Sequence, residues 1–231
     1  ICYSGVADIF RLPKFSLSFF RTQIAEGSML PSGKMPYEVF IPAYRDEILS
    51  DTVMVYGNVD EVELVLNGKT IRRQTADKGA DSDYIPVPNG GNGKNLHFPP
   101  FTFYGVPKER GVLKAVGYHQ GKKVAEYTVK TPGVPERLDI TYFESGKPAT
   151  KNDLLIVYVR MLDKQGVLCP VNGIPVELSV QGGEIVGPTS YPLEAGVASF
   201  LVRTGEISKI NIRATSKEFS TYKKIKIKNS L

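Results

Sequence analysis

Three carboxylates stand almost together at Asp60, Glu61 and Glu63, just ahead of the pair Asn67-Gly68. A pair of carboxylates held about 5–5.5 Å apart in a cleft is what a retaining glycoside-cleaving site requires. Here the surrounding pattern argues against that chemistry. Val62, Leu64 and Leu66 alternate with Glu63 and Val65, so period-two alternation sends Glu61 and Glu63 to one solvent-facing side of a strand, with no pocket around them. They are read as solvated carboxylates that pair with nearby Lys and Arg.

The other reactive residue types are sparse. Two histidines, His97 and His119, cannot complete a metal site with His ligands alone, and each reads as a surface or turn residue. Asp77, Gly79, Asp81 and Asp83 put carboxylates at alternate positions, as a hard cation such as Ca²⁺ would use, but the order of an EF-hand loop and its bidentate Glu are missing. A solvated loop is the expectation there. Cys2 and Cys169 are too few and too far apart to form a disulfide framework. No glycine-rich phosphate loop precedes a helix, and no serine sits in a nucleophile elbow. The chain has 12 Tyr and 11 Phe but no Trp. A flat ring for stacking on a sugar is therefore open to it, though aromatic rings in strands are more often core. No catalytic residue, no metal ligand and no cofactor is expected.

The elements that must carry these residues are mostly strands. VELVLNGKTI (62–71) reads as a hairpin. Asn67-Gly68 tolerates the positive φ of a type I′ turn, and a two-residue loop sets Leu64 opposite Ile71. His119 to Lys122 predicts a second hairpin turn at Gly121. DTVMVYGN and FTFYGV read as further strands. The polar, glycine-rich run at 76–95 separates them as a long loop, expected to be mobile. After TPGVPE (131–136), a Pro/Gly linker, come RLDITYF, LLIVYVRML, IPVELSV, GEIV, ASFLVRT, KINIRAT and YKKIKIK. In IPVELSV, Ile174, Val176, Leu178 and Val180 form one apolar face. About seven short strands in roughly 100 residues predict an immunoglobulin-like sandwich, and the preceding segment predicts the same class.

Residues 12–24 differ. Pro13 fits a first helical turn, and Leu12, Phe15, Phe19, Phe20 and Ile24 then lie along one side of a short amphipathic helix. Gly27 and SMLPSGKMP (28–36) read as a stop and a linker. The net charge is +5, with +2 in residues 1–133 and +3 in 134–231. That even spread argues against a nucleic-acid partner. KKIKIK (223–228) reads as a last strand whose outward lysines discourage edge pairing. No apolar run is long enough for a membrane span. The chain starts at Ile1, as expected of a fragment or processed product.

Four segments in order, RLPKFSLSFFRTQ (11–23), VMVYGNVDEVELVLNGKTI (53–71), HFPPFTFYGVPKERGVLKAVGYHQGKKVAEYTV (97–129) and TPGVPERLDIT (131–141), resemble the C-terminal part of a glycoside hydrolase family 2 enzyme of the bacterial β-galactosidase type. NDLLIVYVRMLDKQG and VELSVQGGEIVG resemble, more loosely, a bacterial immunoglobulin-like domain. The resemblance implies an all-β chain: residues 1–30 as the last loop and helix of a catalytic barrel, 31–132 and 133–231 as two immunoglobulin-like sandwiches. It implies that the two catalytic Glu lie on barrel strands outside this sequence, and that Leu12, Phe15, Phe19 and Phe20 face the barrel. The partner it implies is that barrel in the same polypeptide, in a periplasmic or secreted parent. A carbohydrate ligand and self-association stay open. GPTSYPLEAG (187–196) departs from the Gly/Asn-rich loop of such proteins. Two rival readings are a carbohydrate-binding module and a cell-surface adhesin-type array.

Overall fold

The computed structural model describes residues 5–43, 51–77, 96–143 and 148–228. Cys2, Gly79, Asp81, Asp83 and most of the 76–95 loop lie outside the described residues. The chain divides into two compact units, Ile1–Thr131 and Pro132–Leu231. Among the described residues, the regular structure of both is β apart from one helix in the first unit.

In the first unit, α1 (Phe15–Thr22) is followed by a two-stranded ribbon, β1 (Met29–Leu30) and β2 (Gly33–Lys34). Strands β3 (Val39–Phe40), β4 (Val53–Gly57) and β7 (Phe101–Phe103) form a three-stranded sheet. Strands β5 (Glu61–Leu66), β6 (Lys69–Thr75), β8 (Val112–His119) and β9 (Lys122–Lys130) form a four-stranded sheet in the order β6-β5-β8-β9. The two sheets share one core, with Val55, Val62, Leu64, Phe101, Phe103 and Ala115 fully enclosed. Val62, Leu64 and Leu66 are buried and Glu61, Glu63 and Val65 are not, which is the alternation of a half-buried strand.

Both hairpin turns have positive φ at their two central residues, Asn67 (51°) with Gly68 (82°) and Gln120 (49°) with Gly121 (76°), as type I′ turns need. The Asn67 side chain also bonds beyond the turn. Its Oδ1 accepts from Val112 N (2.9 Å) and its Nδ2 donates to Arg110 O (3.1 Å). The turn is thereby tied to the start of β8.

The expected pairing of Leu64 with Ile71 does not occur. Leu66 pairs with Lys69 and Val65 with Thr70, but the register then shifts and Leu64 faces Arg72. Ile71 is the extra residue of a β-bulge and packs partly buried against the core. The reason lies on β7 and the residue that follows it. The bulge brings Arg72 and Gln74 into phase with Leu64 and Val62, and their side chains donate to Tyr104 O (3.4 Å) and Thr102 O (2.9 Å). These bonds join the rims of the two sheets. By the same shift Arg73 comes opposite Glu63, on the outer face.

Two further expectations are corrected. Pro13 is not in the helix, which starts at Phe15 with Lys14 as N-cap. Asp8 Oδ1 accepts from Phe10 N and Leu12 N, both at 2.8 Å, and Pro13 bridges Ala7. A side-chain-to-backbone turn thus holds residues 12 and 13 extended and delays the helix. The segment 28–36 is also not a plain linker. Gly27 N donates to Met35 O (2.8 Å), Met35 N donates to Ser28 O (2.8 Å), and Met35 is only 1 % exposed. The ribbon closes because Met35 is its apolar anchor.

The second unit is two four-stranded sheets. One runs β10-β11-β15-β13, from β10 (Arg137–Tyr142), β11 (Leu154–Leu162), β15 (Val197–Thr204) and β13 (Gly183–Ile185). The other runs β14-β12-β16-β17, from β14 (Ser190–Pro192), β12 (Pro175–Gln181), β16 (Lys209–Thr215) and β17 (Ser220–Lys226). Val176 and Leu178 are buried, and Ile174 and Val180 pack beside them as the apolar face of IPVELSV requires. GPTSYPLEAG contains the extra short strand β14, where Tyr191 pairs with Val176 and sets its ring 5.4 Å from that of Phe200. Cys169 is buried in this core. Asp163 is 3 % exposed, and its carboxylate accepts from Gly133 N (2.7 Å), Val167 N (2.8 Å) and Gln165 N (2.9 Å). It closes the turn after β11 and fixes the first residues of the unit.

Candidate functional site

The aromatic helix divides its rings between two environments. Phe15 lies edge-on to Phe40 of β3 (5.6 Å between centroids), and Phe19 meets Tyr56 of β4 (4.9 Å, 84°). Phe20 touches Phe19 but is itself 56 % exposed. Leu12 precedes the helix and is half-buried. Ile9, at 76 %, and Met29, at 74 %, are also exposed in this N-terminal segment.

Polar clasps hold the helix to its own sandwich. Arg21 donates through Nε to both oxygens of Glu38 (3.1 and 3.0 Å) and also pairs through Nη2. This two-pronged arrangement is the strong form of the Arg–carboxylate contact. The Gln23 amide donates to Phe98 O (3.0 Å) and accepts from Phe98 N (3.1 Å). The centre of the arrangement is Asn58, only 3 % exposed. Its Nδ2 donates to Ile24 O and Pro36 O, both at 3.0 Å, and its Oδ1 accepts from Glu38 N at 2.6 Å. One amide thus ties the helix exit and the ribbon exit to the end of β4. Sequence reading misses Asn58, Glu38 and Gln23. A lone Asn after a strand looks like any turn residue, and only its burial distinguishes it.

Between α1, the 37–40 segment and β9 lies a groove of about 340 Å³, lined by Ser18, Arg21, Tyr37, Glu38, Phe40 and Tyr127, among others. Its charges are already matched. Glu38 is held by Arg21, and Glu126 accepts from Lys123 (2.6 Å) with Lys114 at 3.7 Å. The groove therefore offers no unpartnered carboxylate for acid–base work.

Glu61 and Glu63 lie on the outer face of the four-stranded sheet, Asp60 lies just before β5 beside the β8-β9 turn, and each of the three has partners. Glu61 pairs with Arg73 (2.6 Å), whose guanidinium sits 3.7 Å over the Tyr118 ring. Glu63 accepts from Thr70 Oγ1 and from Tyr118 OH, both at 2.7 Å. The Thr70 and Tyr118 hydroxyls, with Arg73 nearby, hold the Glu63 carboxyl below its usual range, and the same bond to Glu63 raises the Tyr118 phenol. Asp60 accepts from Gln120 N (2.9 Å) and lies 3.1 Å from His119 Nδ1; the Gln120 N–H foremost, then His119, lower its pKa. His119 in turn stacks on Tyr37 (4.9 Å, 28°). This is an ion-paired sheet face, as the alternation implies.

His97 is exposed beside Phe98. Asp77 is committed to Thr102, accepting from its hydroxyl at 2.5 Å and its N at 3.3 Å. Among the described residues no group of three or more His, Cys, Asp or Glu is placed to hold a metal ion.

The arrangement is that of two β-sandwich units, the first with a docked helix and an ion-paired outer sheet face. A family model described as a domain of unknown function, DUF4982, matches residues 50–125. The chain is 31 % identical to a β-galactosidase of Thermoanaerobacter pseudethanolicus, over 99 % of this chain and 30 % of that protein. It is 30 % identical to a β-galactosidase of Rhizobium radiobacter, over 54 % of this chain and 91 % of that sequence. A solved β-glucuronidase from glycoside hydrolase family 2 superposes with a TM-score of 0.76 at 22 % identity, over 98 % of this chain and 23 % of its own. The chain belongs to glycoside hydrolase family 2, of the bacterial β-galactosidase type, and corresponds to its C-terminal β-sandwich region. It spans under a third of the length of the first curated relatives it matches, 30 % and 27 %.

Proposed function

We propose that this chain is a non-catalytic accessory part of a family 2 β-glycosidase, and that its first unit braces the catalytic barrel of the same polypeptide. The observation that carries the reading is the division of the helix rings. Phe19 meets the sandwich, Phe15 meets it by one edge and stays 38 % exposed, and Phe20 presents a ring that is 56 % exposed, in a segment where Ile9 and Met29 are exposed as well. Large apolar side chains left outside on an otherwise well-packed unit mark a docking face. The clasps through Arg21, Gln23 and Asn58 hold that face rigid. Phe20 on the helix and Leu12 just ahead of it then form the barrel side, and Phe15 and Phe19 connect the helix to the sandwich. Chemistry, and the choice of sugar, reside on the barrel. No helix among the described residues is long and apolar enough to cross a membrane; a periplasmic or secreted parent is the setting we propose.

The test compares Phe20→Lys in this chain and in the complete polypeptide. An exposed side chain contributes little to the isolated chain, so its thermal midpoint stays within about 2 °C of the unsubstituted chain. In the complete polypeptide the same change unpacks a domain contact and lowers the midpoint of the catalytic part. Equal effects in the two contexts would refute the bracing face.

A further inference from the structure

The outward side of the sheet β14-β12-β16-β17 carries a row of cations that edge protection does not explain. Ile225 and Ile227 point to the core, so Tyr222, Lys224 and Lys226 point outward. The register sets Lys226 opposite Lys209, Lys224 opposite Asn211, and Tyr222 opposite Arg213, and on β16 it is Ile210, Ile212 and Ala214 that are buried. Lys209 and Arg213 are thus outward too. In the outward phase of β12, β16 and β17 one carboxylate, Glu177, stands against these four cations. Among the described residues none of the four is in an ion pair, and the ion pairs of this unit are Arg160–Asp139 and Arg203–Glu184, both on the other sheet.

Protection of the β17 edge has its own device. Lys223 occupies the inward phase, opposite buried Ile212, yet is exposed. An inward-phase charge on an edge strand is a standard block to sheet extension. That role needs neither Lys209 nor Arg213, which lie on an interior strand, nor an aromatic ring at Tyr222 that is 78 % exposed.

We propose that this face binds an acidic polysaccharide along the strands. Outward residues recur about every 6.6 Å along a strand, and neighbouring strands lie about 4.8 Å apart. A linear polyanion lying on β16 and β17 therefore meets cations on both strands at one end of its path, Lys209 with Lys226, then Lys224 on β17, and Arg213 beside the Tyr222 ring at the other end. Unpaired cations on a flat face concentrate such a ligand without first breaking an ion pair. Tyr222 continues the row and offers a flat apolar ring to the apolar side of a sugar. The cation row selects a polyanion; the exposed Tyr222 ring, with the family membership, selects a saccharide among polyanions.

Affinity electrophoresis of the whole chain tests this, in gels containing polygalacturonate or neutral dextran. The expected result is retardation by polygalacturonate and none by dextran, relieved at about 0.3 M salt as screening shortens the Debye length. The double change Lys224→Glu/Lys226→Glu abolishes it. Tyr222→Ala, which leaves charge untouched, weakens it about fivefold, as the loss of one stacking contact would. Lys164→Glu, an exposed site away from these strands, leaves it unchanged. No retardation at low salt, or full binding by the Lys224/Lys226 variant, overturns the proposal. So does an oligothymidylate bound as tightly as polygalacturonate with no effect of Tyr222→Ala. Glycoside turnover plays no part in this readout, so its outcome leaves the bracing role to be judged separately.

Discussion

Replacing Asn58 by Ala should loosen the whole segment from the helix exit to β3. The side chain is buried and makes three hydrogen bonds, two donated to Ile24 O and Pro36 O at 3.0 Å and one accepted from Glu38 N at 2.6 Å. Alanine leaves all three backbone groups without that partner. Each stranded buried polar group costs about 1–3 kcal/mol. Water entering the vacated space recovers part of this, which leaves a net loss of about 3 kcal/mol. For a unit of this size that is a fall of about 10 °C in the midpoint of its unfolding transition. Calorimetry reads the transition of the first unit, and limited proteolysis reads new cleavage between residues 24 and 38. Asn58→Asp should be worse than Ala, because it sets a carboxylate against two carbonyl oxygens. A first-unit midpoint within about 2 °C of the unsubstituted chain, with no new cleavage, would refute the clasp.

Other consequences can be checked the same way. Asn67→Gly keeps the turn φ but loses the bonds to Val112 N and Arg110 O, so urea stability should fall by about 1 kcal/mol, with hydrogen exchange faster at Val112. Gly117→Ala puts a Cβ 2.8 Å from a Val39 methyl and 3.0 Å from one of Val59, and overpacking of this kind should cost about 1–3 kcal/mol in the same assay. The Gly133 N–H foremost, then those of Val167, Gln165 and Gly166, hold the Asp163 carboxyl below its usual range. Its ionised form is thus the one the folded state favours. That stability is complete above the unfolded pKa of about 3.9 and is lost as pH falls through the lower folded value. Asp163→Asn should melt lower than the unsubstituted chain at pH 7, with the gap shrinking below about pH 4; a gap constant down to pH 3 would contradict this.

What could be read from the sequence followed how local its causes were. The type I′ turn at Asn67-Gly68, the hairpin turn at His119 to Lys122 and the buried face of IPVELSV depend on neighbours in the chain, and they form as read. The bulge that displaces Ile71 does not depend on neighbours: it is set by Tyr104 O and Thr102 O, about thirty residues away, which Arg72 and Gln74 reach only in the shifted register. Pro13 is a sound helix-start signal overridden by Asp8, whose carboxylate captures the N–H groups of Phe10 and Leu12. The aromatic character of residues 12–20 was legible, but not which rings meet the sandwich, because Phe40 and Tyr56 belong to other elements. The pairing of Glu61 with an arginine was legible as a type of contact. That the arginine is Arg73 follows from the bulge.

The most direct test of the central claim is hydrolysis of chromogenic β-galactosides and β-glucuronides by the purified chain. An accessory role predicts no turnover above that of a mock purification. Turnover that persists through purification and disappears with Glu61→Gln or Glu63→Gln would contradict it, and would place chemistry on the ion-paired face of the β6-β5-β8-β9 sheet.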